Sequence, residues 1–250
     1  MRKWYGAGLA QGMASCRMGC SKSLGRGKKH YILKPLFLLI SALILLEAPA
    51  LFAQSLFTLN FANDEAGRFP AGWSSRDKEN MGKVYSVRAE DGHRFLHADA
   101  QGISVQIGLE KAWGLGEFPI LRWRWRARVF PEGSNEREKS GNDSVLSVYV
   151  LLGGWPVPSS MKYIWSDNLP VGTKFDSPHS SKTKVFVVRS GRSLAGKWVT
   201  EERNILADHR RLYGEGEKNP SARGILLLTD SDNTMTRAAG DYDEITVAAK

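Results

Sequence analysis

The sequence predicts an all-β protein, a jelly-roll-like β-sandwich with one short packed helix at about residues 200–213. Three observations lead to this prediction. Short apolar stretches alternate with polar residues at a period of two, which is the spacing of a strand with one buried face. Turn-forming residues separate these stretches at short intervals. A single segment stands out with the wider apolar spacing that an amphipathic helix needs.

The chain divides into a leader, residues 1–53, and a predicted single β-sandwich domain, residues 54–250. The leader has the order of an export signal, with a basic stretch, an apolar run from Pro35 to Leu46, and small residues after it. That run is shorter than the roughly 20 apolar residues that cross a bilayer. We therefore expect a periplasmic or secreted product, with membrane attachment only if the leader stays uncleaved.

The formal net charge of the chain is +9, but most of the basic excess lies in the leader. From Gln54 onward the chain has 27 basic and 25 acidic residues, a net charge of +2. Proteins that bind nucleic acid usually present a strongly basic surface, so we expect no nucleic-acid partner. Both cysteines, Cys16 and Cys20, also lie in the leader, and the domain therefore has neither a disulfide nor a reactive thiol.

The predicted strands follow one another along the domain. KVYSVRAEDGHRFLHADA is a hairpin whose turn is Asp91-Gly92, a dipeptide typical of tight two-residue turns. Further strands are expected in SVQIGLE, LRWRWRARVF, VLSVYVLLGG, TKVFVVRSG, RGILLLTD and DYDEITV. The polar segment PEGSNEREKSGND is predicted to be a loop that joins LRWRWRARVF to VLSVYVLLGG.

The predicted helix is TEERNILADHRRLYG. Thr200 is the expected N-cap, and the two glutamates that follow it suit the positive end of the helix dipole. Ile205, Leu206 and Leu212 form an apolar stripe at helical spacing, and Gly214 is expected to end the helix. Such a helix would pack across an edge or an end of the sandwich.

LRWRWRARVF places four arginines at alternate positions. One face of this strand would carry Trp123 and Trp125, which we predict to be core residues. The other face would carry Arg122, Arg124, Arg126 and Arg128. One hypothesis is a face that binds an acidic or polyhydroxylated ligand together with Arg189, because guanidinium groups match carboxylate geometry. The alternative is a ladder of salt bridges with acids on neighbouring strands, for which Asp143 is the first candidate.

Three aromatic residues are candidates for contacts with a sugar ring. Trp155 lies in GGWPVPSS, and Tyr163 and Trp165 lie in KYIWSDNLP. The apolar side of a sugar can stack on an exposed aromatic ring, so these side chains would border the arginine face. Packing inside the domain is the alternative for all three, since Tyr163 and Trp165 alternate as they would on a strand.

Acidic residues near the end of the chain suggest a structural calcium ion. TDSDNTMTRAAGD has acids at the spacing of a calcium loop, but Met235 occupies the position where an EF-hand needs glycine. A looser site built from Asp230, Asp232 and Asp243 is one interpretation, and turn formation by the same side chains is the other. We expect no other cofactor.

Motifs for catalysis are missing from the sequence. It has no phosphate-binding loop, no dinucleotide fingerprint and no nucleophile elbow. His93 and His97 share a face of one predicted strand, but no third metal ligand lies near them in the sequence. We therefore predict no catalytic residue.

Two resemblances support the fold prediction. The opening FTLNFANDEAGRFPAGW and the closing GDYDEITV resemble the paired end strands of jelly-roll carbohydrate-binding modules, which often hold a structural calcium; Ala62-Asn63 departs from that pattern. LRWRWRARVF, YIWSDNLPVGTKF, VFVVRSG with GKWVTEERNILADHRR, and LTDSDNT together resemble a bacterial exported family catalogued as domain of unknown function 3047. The second resemblance implies a periplasmic β-sandwich and assigns no activity.

These observations favour an exported, non-catalytic β-sandwich that binds an envelope or extracellular glycan, possibly an acidic one. Two alternatives stay open. One is a polysaccharide lyase or hydrolase on the same scaffold, in which Arg124, Arg126 and Arg189 could neutralise the carboxylate of a uronate and Tyr149 could act as a base. The other is a structural partner within the cell envelope.

The leader yields a testable prediction. We expect the exported protein to begin near residues 51–55, because small residues follow the short apolar run. Intact-mass measurement of the exported protein checks this, and a membrane-retained product of full mass would contradict it.

Overall fold

A computed structural model describes residues 54–153 and 158–250 of the chain. Two sheets of six strands each make up most of this region. The strands are β1 (Ser55–Leu59), β2 (Tyr85–Glu90), β3 (His93–Gln101), β4 (Ser104–Gly114), β5 (Ile120–Val129), β6 (Leu146–Leu152), β7 (Ser160–Ser166), β8 (Lys174–Ser177), β9 (Ser180–Ser190), β10 (Val199–Asn204), β11 (Ser221–Asp230) and β12 (Arg237–Ala248). The helices are α1 (Met81–Val84) and α2 (Ile205–Tyr213), with a 3-10 turn at Lys139–Gly141.

The first sheet, called sheet A, has the strand order β10-β5-β12-β3-β2, and β1 also pairs with β12. The two ends of the domain meet here, since Phe57 on β1 lies opposite Val247 on β12. This confirms the expected pairing of the first and last strands. Strand β5 lies between β10 and β12, so its arginine face has a neighbouring strand on each side.

The second sheet, called sheet B, has the order β4-β11-β6-β7-β9-β8. All its pairs are antiparallel except β7 with β9, which run parallel. Sheets A and B pack face to face, which confirms the predicted jelly-roll-like β-sandwich.

Aromatic side chains from both sheets form the centre of the core. Trp123 and Trp125 are fully buried, as predicted, and their rings meet edge to face at 5.3 Å. From sheet B, Tyr163 lies 5.5 Å from Trp123, and Trp165 lies 5.8 Å from Trp125, measured between ring centroids. Aromatic pairs at such distances add to the free energy of burial, so these rings hold the two sheets together.

The hairpin between β2 and β3 turns at Asp91-Gly92, as predicted. Both residues have positive φ, +50° for Asp91 and +79° for Gly92. Those angles match the two-residue turn whose twist fits that of the flanking strands.

Helix α2 is shorter than predicted. Residues 199–204 pair with β5 as strand β10, so Thr200 is not the N-cap. Asn204 caps the helix instead, because its side chain accepts a hydrogen bond from the backbone N–H of Ala207 at 2.9 Å. Gly214 ends the helix as predicted, with φ at +87° and its N–H donated to the carbonyl of Arg210. Pairing with β5 thus overrides the local helical pattern at residues 200–204.

Within the described residues, no helix is both long enough and apolar enough to cross a membrane.

The buried position of Trp125 leads to a stability prediction. Replacing Trp125 with alanine should lower the free energy of unfolding by about 3–5 kcal/mol, because it empties a large core site. Chemical unfolding monitored by circular dichroism measures the change. Val171→Ala is the matched control, since Val171 is 61% exposed and the change should stay within about 0.5 kcal/mol. Equal midpoints for the Trp125 variant and the parent would contradict the prediction.

Candidate functional site

The arginines of β5 line the outer face of sheet A, as predicted, and each has an acidic partner. Arg122 lies opposite Glu202 of β10 and donates to it from Nε at 3.0 Å. Arg124 reaches Glu244 at 3.1 Å and Asp243 at 3.6 Å. These contacts are the cross-strand ladder that the sequence offered as the alternative to a binding face.

Asp241 is the central carboxylate of this ladder. Its Oδ2 accepts hydrogen bonds from Nε of Arg126 and from Nε of Arg128, each at 2.6 Å, and its Oδ1 lies 2.7 Å from Nδ1 of His97. Burial opposes its ionisation, but the bonds from His97, Arg128 and Arg126 prevail and lower the pKa of Asp241. Asp241 is therefore an ionised, fully buried carboxylate among three basic groups.

Glu90 completes the pairing at the other end of the ladder. It lies 2.6 Å from Nη2 of Arg128 and 2.8 Å from Nη2 of Arg126, although the Arg126 contact is not aligned as a hydrogen bond. Trp198 covers two of the arginines, with its ring 5.1 Å from the guanidinium carbon of Arg124 and 4.6 Å from that of Arg126. Such cation–π contacts stabilise the two guanidinium groups in these positions.

The hypothesis of ligand binding at sheet A required unpaired guanidinium groups. Because these arginines are paired with acids, the structure does not support that hypothesis. The expected partner, Asp143, is not among the acids of the ladder. Asp143 lies beyond the end of β5 and accepts four hydrogen bonds from Asn233 and Thr234, at 2.6–3.2 Å. We expected Asp143 on this face because it follows β5 closely in the sequence. The loop after β5 instead leads to β6, a strand of sheet B, and carries Asp143 away from sheet A.

Three other predicted ligand-binding residues are either buried or already paired with an acid. Tyr163 and Trp165 are fully buried because they alternate inward on β7, so the core interpretation is the correct one for both. Arg189 donates to Glu201 at 2.8 Å, and the same carboxylate accepts from the indole of Trp125 at 3.3 Å. Arg189 thus links the two sheets at their rim. Trp155, the fourth candidate, lies outside the described residues.

The predicted calcium ligands are brought together only in part. Carboxylate oxygens of Asp230, Asp232 and Asp143 lie within 4.8 Å of one another. Asp243 is not with them, since it lies on sheet A and its Oδ2 is 2.8 Å from Nε2 of His93. The bonds that Asp143 makes to the 231–236 turn explain its position as turn formation. Calcium binding at Asp230 and Asp232 stays a prediction.

A groove that the sequence did not predict crosses the outer face of sheet B. Its volume is about 520 Å³ and its lining includes Ser75, Arg76, Gln106, Gly108, Leu151 and Leu226. Residues 74–77 form one wall, held to β4 by a backbone pair between Ser74 and Gly108 and by a bond from Ser75 Oγ to the Gln106 carbonyl at 2.7 Å. Gly108 keeps the floor open, because a Cβ there would lie 2.6 Å from Leu226.

A buried lysine lies next to this groove. Leu226, in the groove, is the cross-strand neighbour of Tyr149, whose next neighbour is Lys162 on β7. All three alternate outward, yet Lys162 is only 4% exposed, and its ammonium lies 5.4 Å from the centre of the Tyr149 ring. In the described part of the chain no carboxylate oxygen comes within 4.0 Å of that ammonium. Buried lysines are rare without a direct partner, so Lys162 is a candidate functional residue.

Two buried carboxyl groups, those of Asp230 and Glu136, affect the charge of Lys162. Burial would lower the pKa of the lysine, but Tyr149, Asp230 and Glu136 prevail and raise it. Burial raises the pKa of Asp230 to about 7 and raises the pKa of Glu136 as well. Glu136 is 1% exposed; its Oε2 accepts from Ser166 Oγ at 2.9 Å, whereas its Oε1 has no hydrogen-bond partner among the described residues. Lys162, Tyr149, Asp230 and Glu136 are called the Lys162 cluster below.

The sequence carried one signal for this cluster. In SMKYIWS, Lys162 is the sole charged residue within a strand whose other side chains are apolar, aromatic or small. A charge in such a strand needs a specific environment. For Glu136 there is no such indication in the sequence, because it lies in a polar segment that is expected to be exposed to solvent. In the fold this segment packs against β7, where Glu136 accepts a hydrogen bond from Ser166.

A family model matches residues 71–246, which is more than half of the chain, and the family is described as protein of unknown function DUF3047. The chain belongs to this family. The match includes both the arginine ladder and the Lys162 cluster, so both are features of the DUF3047 region. No curated protein matches the sequence.

Solved structures with a similar fold share little sequence with this DUF3047 member. A carbohydrate-binding module that recognises mannan is 12% identical, with 78% of this chain and 97% of that chain covered and a TM-score of 0.35. Endoglucanase 3 of Trichoderma harzianum, from family GH12, is 10% identical, with 78% and 96% covered and a TM-score of 0.36. A cellulose-specific module of family CBM28 is 10% identical, with 79% and 97% covered and a TM-score of 0.31. At these scores no functional conclusion follows.

The arginine ladder leads to a prediction about acid stability. Asp241→Asn should lower the free energy of unfolding by about 3–5 kcal/mol at pH 7, because it leaves buried Arg126 without its closest acidic partner. Since the pKa of Asp241 is lowered in the folded state, its ionised form stabilises the fold at neutral pH, and this contribution is lost as the pH falls below about 4. The gap between variant and parent should therefore narrow in acid.

Glu202→Gln is the matched control for this measurement. Glu202 is 52% exposed and pairs with the half-exposed Arg122, so its loss should cost no more than about 1 kcal/mol. Urea unfolding of the parent and both variants from pH 3 to 7 measures these effects. A gap for Asp241→Asn that stays constant with pH would show that its ionisation does not support the fold.

Proposed function

We propose that this DUF3047 chain is an exported β-sandwich that binds an envelope or extracellular glycan in the groove of sheet B, close to Tyr149 and Lys162 on the adjacent strands β6 and β7. The observation that carries the proposal is the buried ammonium of Lys162, which lacks a carboxylate at bonding distance in the described residues. A buried charge that has no opposite charge at bonding distance costs free energy, and a ligand that accepts a hydrogen bond from it recovers part of that free energy.

The chemistry of the cluster suits a polyhydroxylated ligand. The ammonium of Lys162 can only donate hydrogen bonds, and Oε1 of Glu136 accepts none from the residues that the structure describes. A sugar hydroxyl both donates and accepts, so it can serve as a partner for either group. The apolar side chains of Leu151 and Leu226 in the groove offer contact for the C–H side of a sugar.

Binding is better supported than the lyase alternative. A tyrosine that removes a proton from a uronate must first ionise. Burial raises the pKa of Tyr149 above its ordinary value, which disfavours that step at neutral pH. The arginines considered for neutralising the uronate carboxylate, Arg124, Arg126 and Arg189, are all paired with acids.

A glycan panel tests this proposal. Isothermal titration calorimetry of the purified domain with soluble neutral and acidic polysaccharides should identify a ligand. Lys162→Met should then weaken binding by about tenfold or more, because it removes a charged donor and keeps a side chain of similar length. The thermal midpoint should stay equal or rise, since methionine suits a buried site.

Arg124→Ala is the matched control, as it removes a cation from the opposite sheet. It should leave the affinity unchanged. Loss of binding in Arg124→Ala with full binding in Lys162→Met would place the ligand on sheet A and overturn the proposal.

A further inference from the structure

We infer that Arg76, at one end of the sheet B groove, binds the carboxylate of an acidic saccharide. This inference rests on the proposed function, because it names the ligand class of the same groove and the residue that selects it. Arg76 is distinct from the arginines of β5, which lie on the other sheet and are paired with acids.

The segment that carries Arg76 follows β4, an edge strand of sheet B. Ser74 and Gly108 exchange backbone hydrogen bonds at 2.9 and 2.8 Å, as directly opposed antiparallel residues do. Ser75 Oγ then donates to the carbonyl of Gln106 at 2.7 Å, so the segment continues along β4 beyond that pair. Arg76 therefore lies opposite Gln106, and both line the groove.

Arg76 differs from the arginines of β5 in its pairing. Over residues 54–153 and 158–250, no carboxylate oxygen lies within 4.0 Å of its guanidinium nitrogens. The adjacent Asp77 is used in the turn that follows, since its two oxygens accept from the backbone N–H and the side-chain amide of Asn80 at 3.1 and 2.9 Å. Asn80 in turn accepts from Lys83 at 2.8 Å, which gives this turn its own cation. The exposed guanidinium of Arg76 is thus open to a ligand.

Neighbouring side chains of β4 add donors at the same end of the groove. Gln106 and Ser104 are exposed on the face of β4 that lines the groove, two residues apart. A guanidinium group can donate to both oxygens of a carboxylate, and an amide or a hydroxyl can donate to the lone pairs that remain. This set of donors matches a planar carboxylate better than it matches an uncharged hydroxyl.

The other end of the groove carries the opposite charge. Glu110 is exposed and lines the groove four residues after Gln106, a separation of about 13 Å along an extended strand. That separation exceeds the roughly 8 Å over which exposed charges act at physiological ionic strength, so Glu110 has little effect at Arg76. A ligand carboxylate is attracted at one end and repelled at the other, and such repulsion contributes to specificity. The groove therefore fixes the direction in which an acidic saccharide lies.

The test compares uronate-containing polysaccharides with their uncharged derivatives. Polygalacturonate, alginate and hyaluronan, and the methyl ester of each, are titrated into the exported protein by isothermal titration calorimetry. At least one of the three acids should bind, and its ester should bind about fivefold more weakly or worse, because esterification removes the charge that Arg76 recognises. The difference should shrink at high ionic strength, since Arg76 is exposed.

Matched variants connect this preference to Arg76. Arg76→Gln should weaken binding of the acid about fivefold or more and leave binding of the ester unchanged, with no change in thermal midpoint. Arg76→Lys should recover part of the affinity, because it restores the charge without the two-pronged geometry. Lys78→Gln is the control, since it removes an exposed cation from the same segment that does not line the groove, and it should leave both affinities unchanged.

The outcomes separate this inference from the proposed function. If no glycan binds, both fail. If an ester binds as well as its acid, or if only neutral glycans bind, the inference is overturned, and the groove proposal stands where Lys162→Met weakens that binding. If an acid binds but Arg76→Gln has no effect, or no more effect than Lys78→Gln, Arg76 is not the residue that selects the carboxylate.

Discussion

The carboxylate of Asp241 is the interaction on which sheet A depends. Strand β5 has to present tryptophans to the core, and its alternation then forces arginines onto the opposite face. Two of these, Arg126 and Arg128, converge on one buried oxygen of Asp241, while His97 reaches the other. Strand β12 places Asp241 directly opposite Arg126, so the register of the central strands and the neutralisation of charge are one constraint. Without the acid, the strand that forms the core would carry uncompensated charge.

The two outer faces of the sandwich differ in how their charged side chains are paired. On sheet A the cations and carboxylates are matched at bonding distance, and Trp198 covers part of the array. On sheet B a lysine is buried beside carboxyl groups that do not touch it, and an acceptor of Glu136 has no partner among the described residues. The charges of sheet A are therefore satisfied within the protein, whereas the buried ammonium of Lys162 has no carboxylate at bonding distance among the described residues. This contrast favours a candidate site on the outer face of sheet B, where the sequence predicted none, over the arginine-rich outer face of sheet A.

Local patterns predicted those elements whose structure depends on short-range chemistry. The Asp91-Gly92 hairpin, the burial of Trp123 and Trp125, and the end of α2 at Gly214 all follow from alternation, turn preference and capping. The start of α2 was misplaced because residues 199–204 have a non-local partner, β5, whose pairing outweighs helix propensity. For Tyr163 and Trp165 the sequence left sugar contact and core packing open, and the interior position of strand β7 in sheet B is what makes them core residues.

The fold class, the family resemblance, the positions of most strands and the amphipathic character of β5 could be predicted from the sequence, because each depends on periodicity or on motifs contiguous in the chain. Which charges are paired could not be predicted from the sequence and followed from the folded arrangement of the strands. Arg126 finds Asp241 across 115 positions of sequence, and Glu136 reaches Ser166 and the surroundings of Lys162 through a loop that folds back over β7. Pairing is a matter of distance in space, and residue spacing along the chain does not encode it. The location of the candidate site therefore followed from the packing of the two sheets and from no motif.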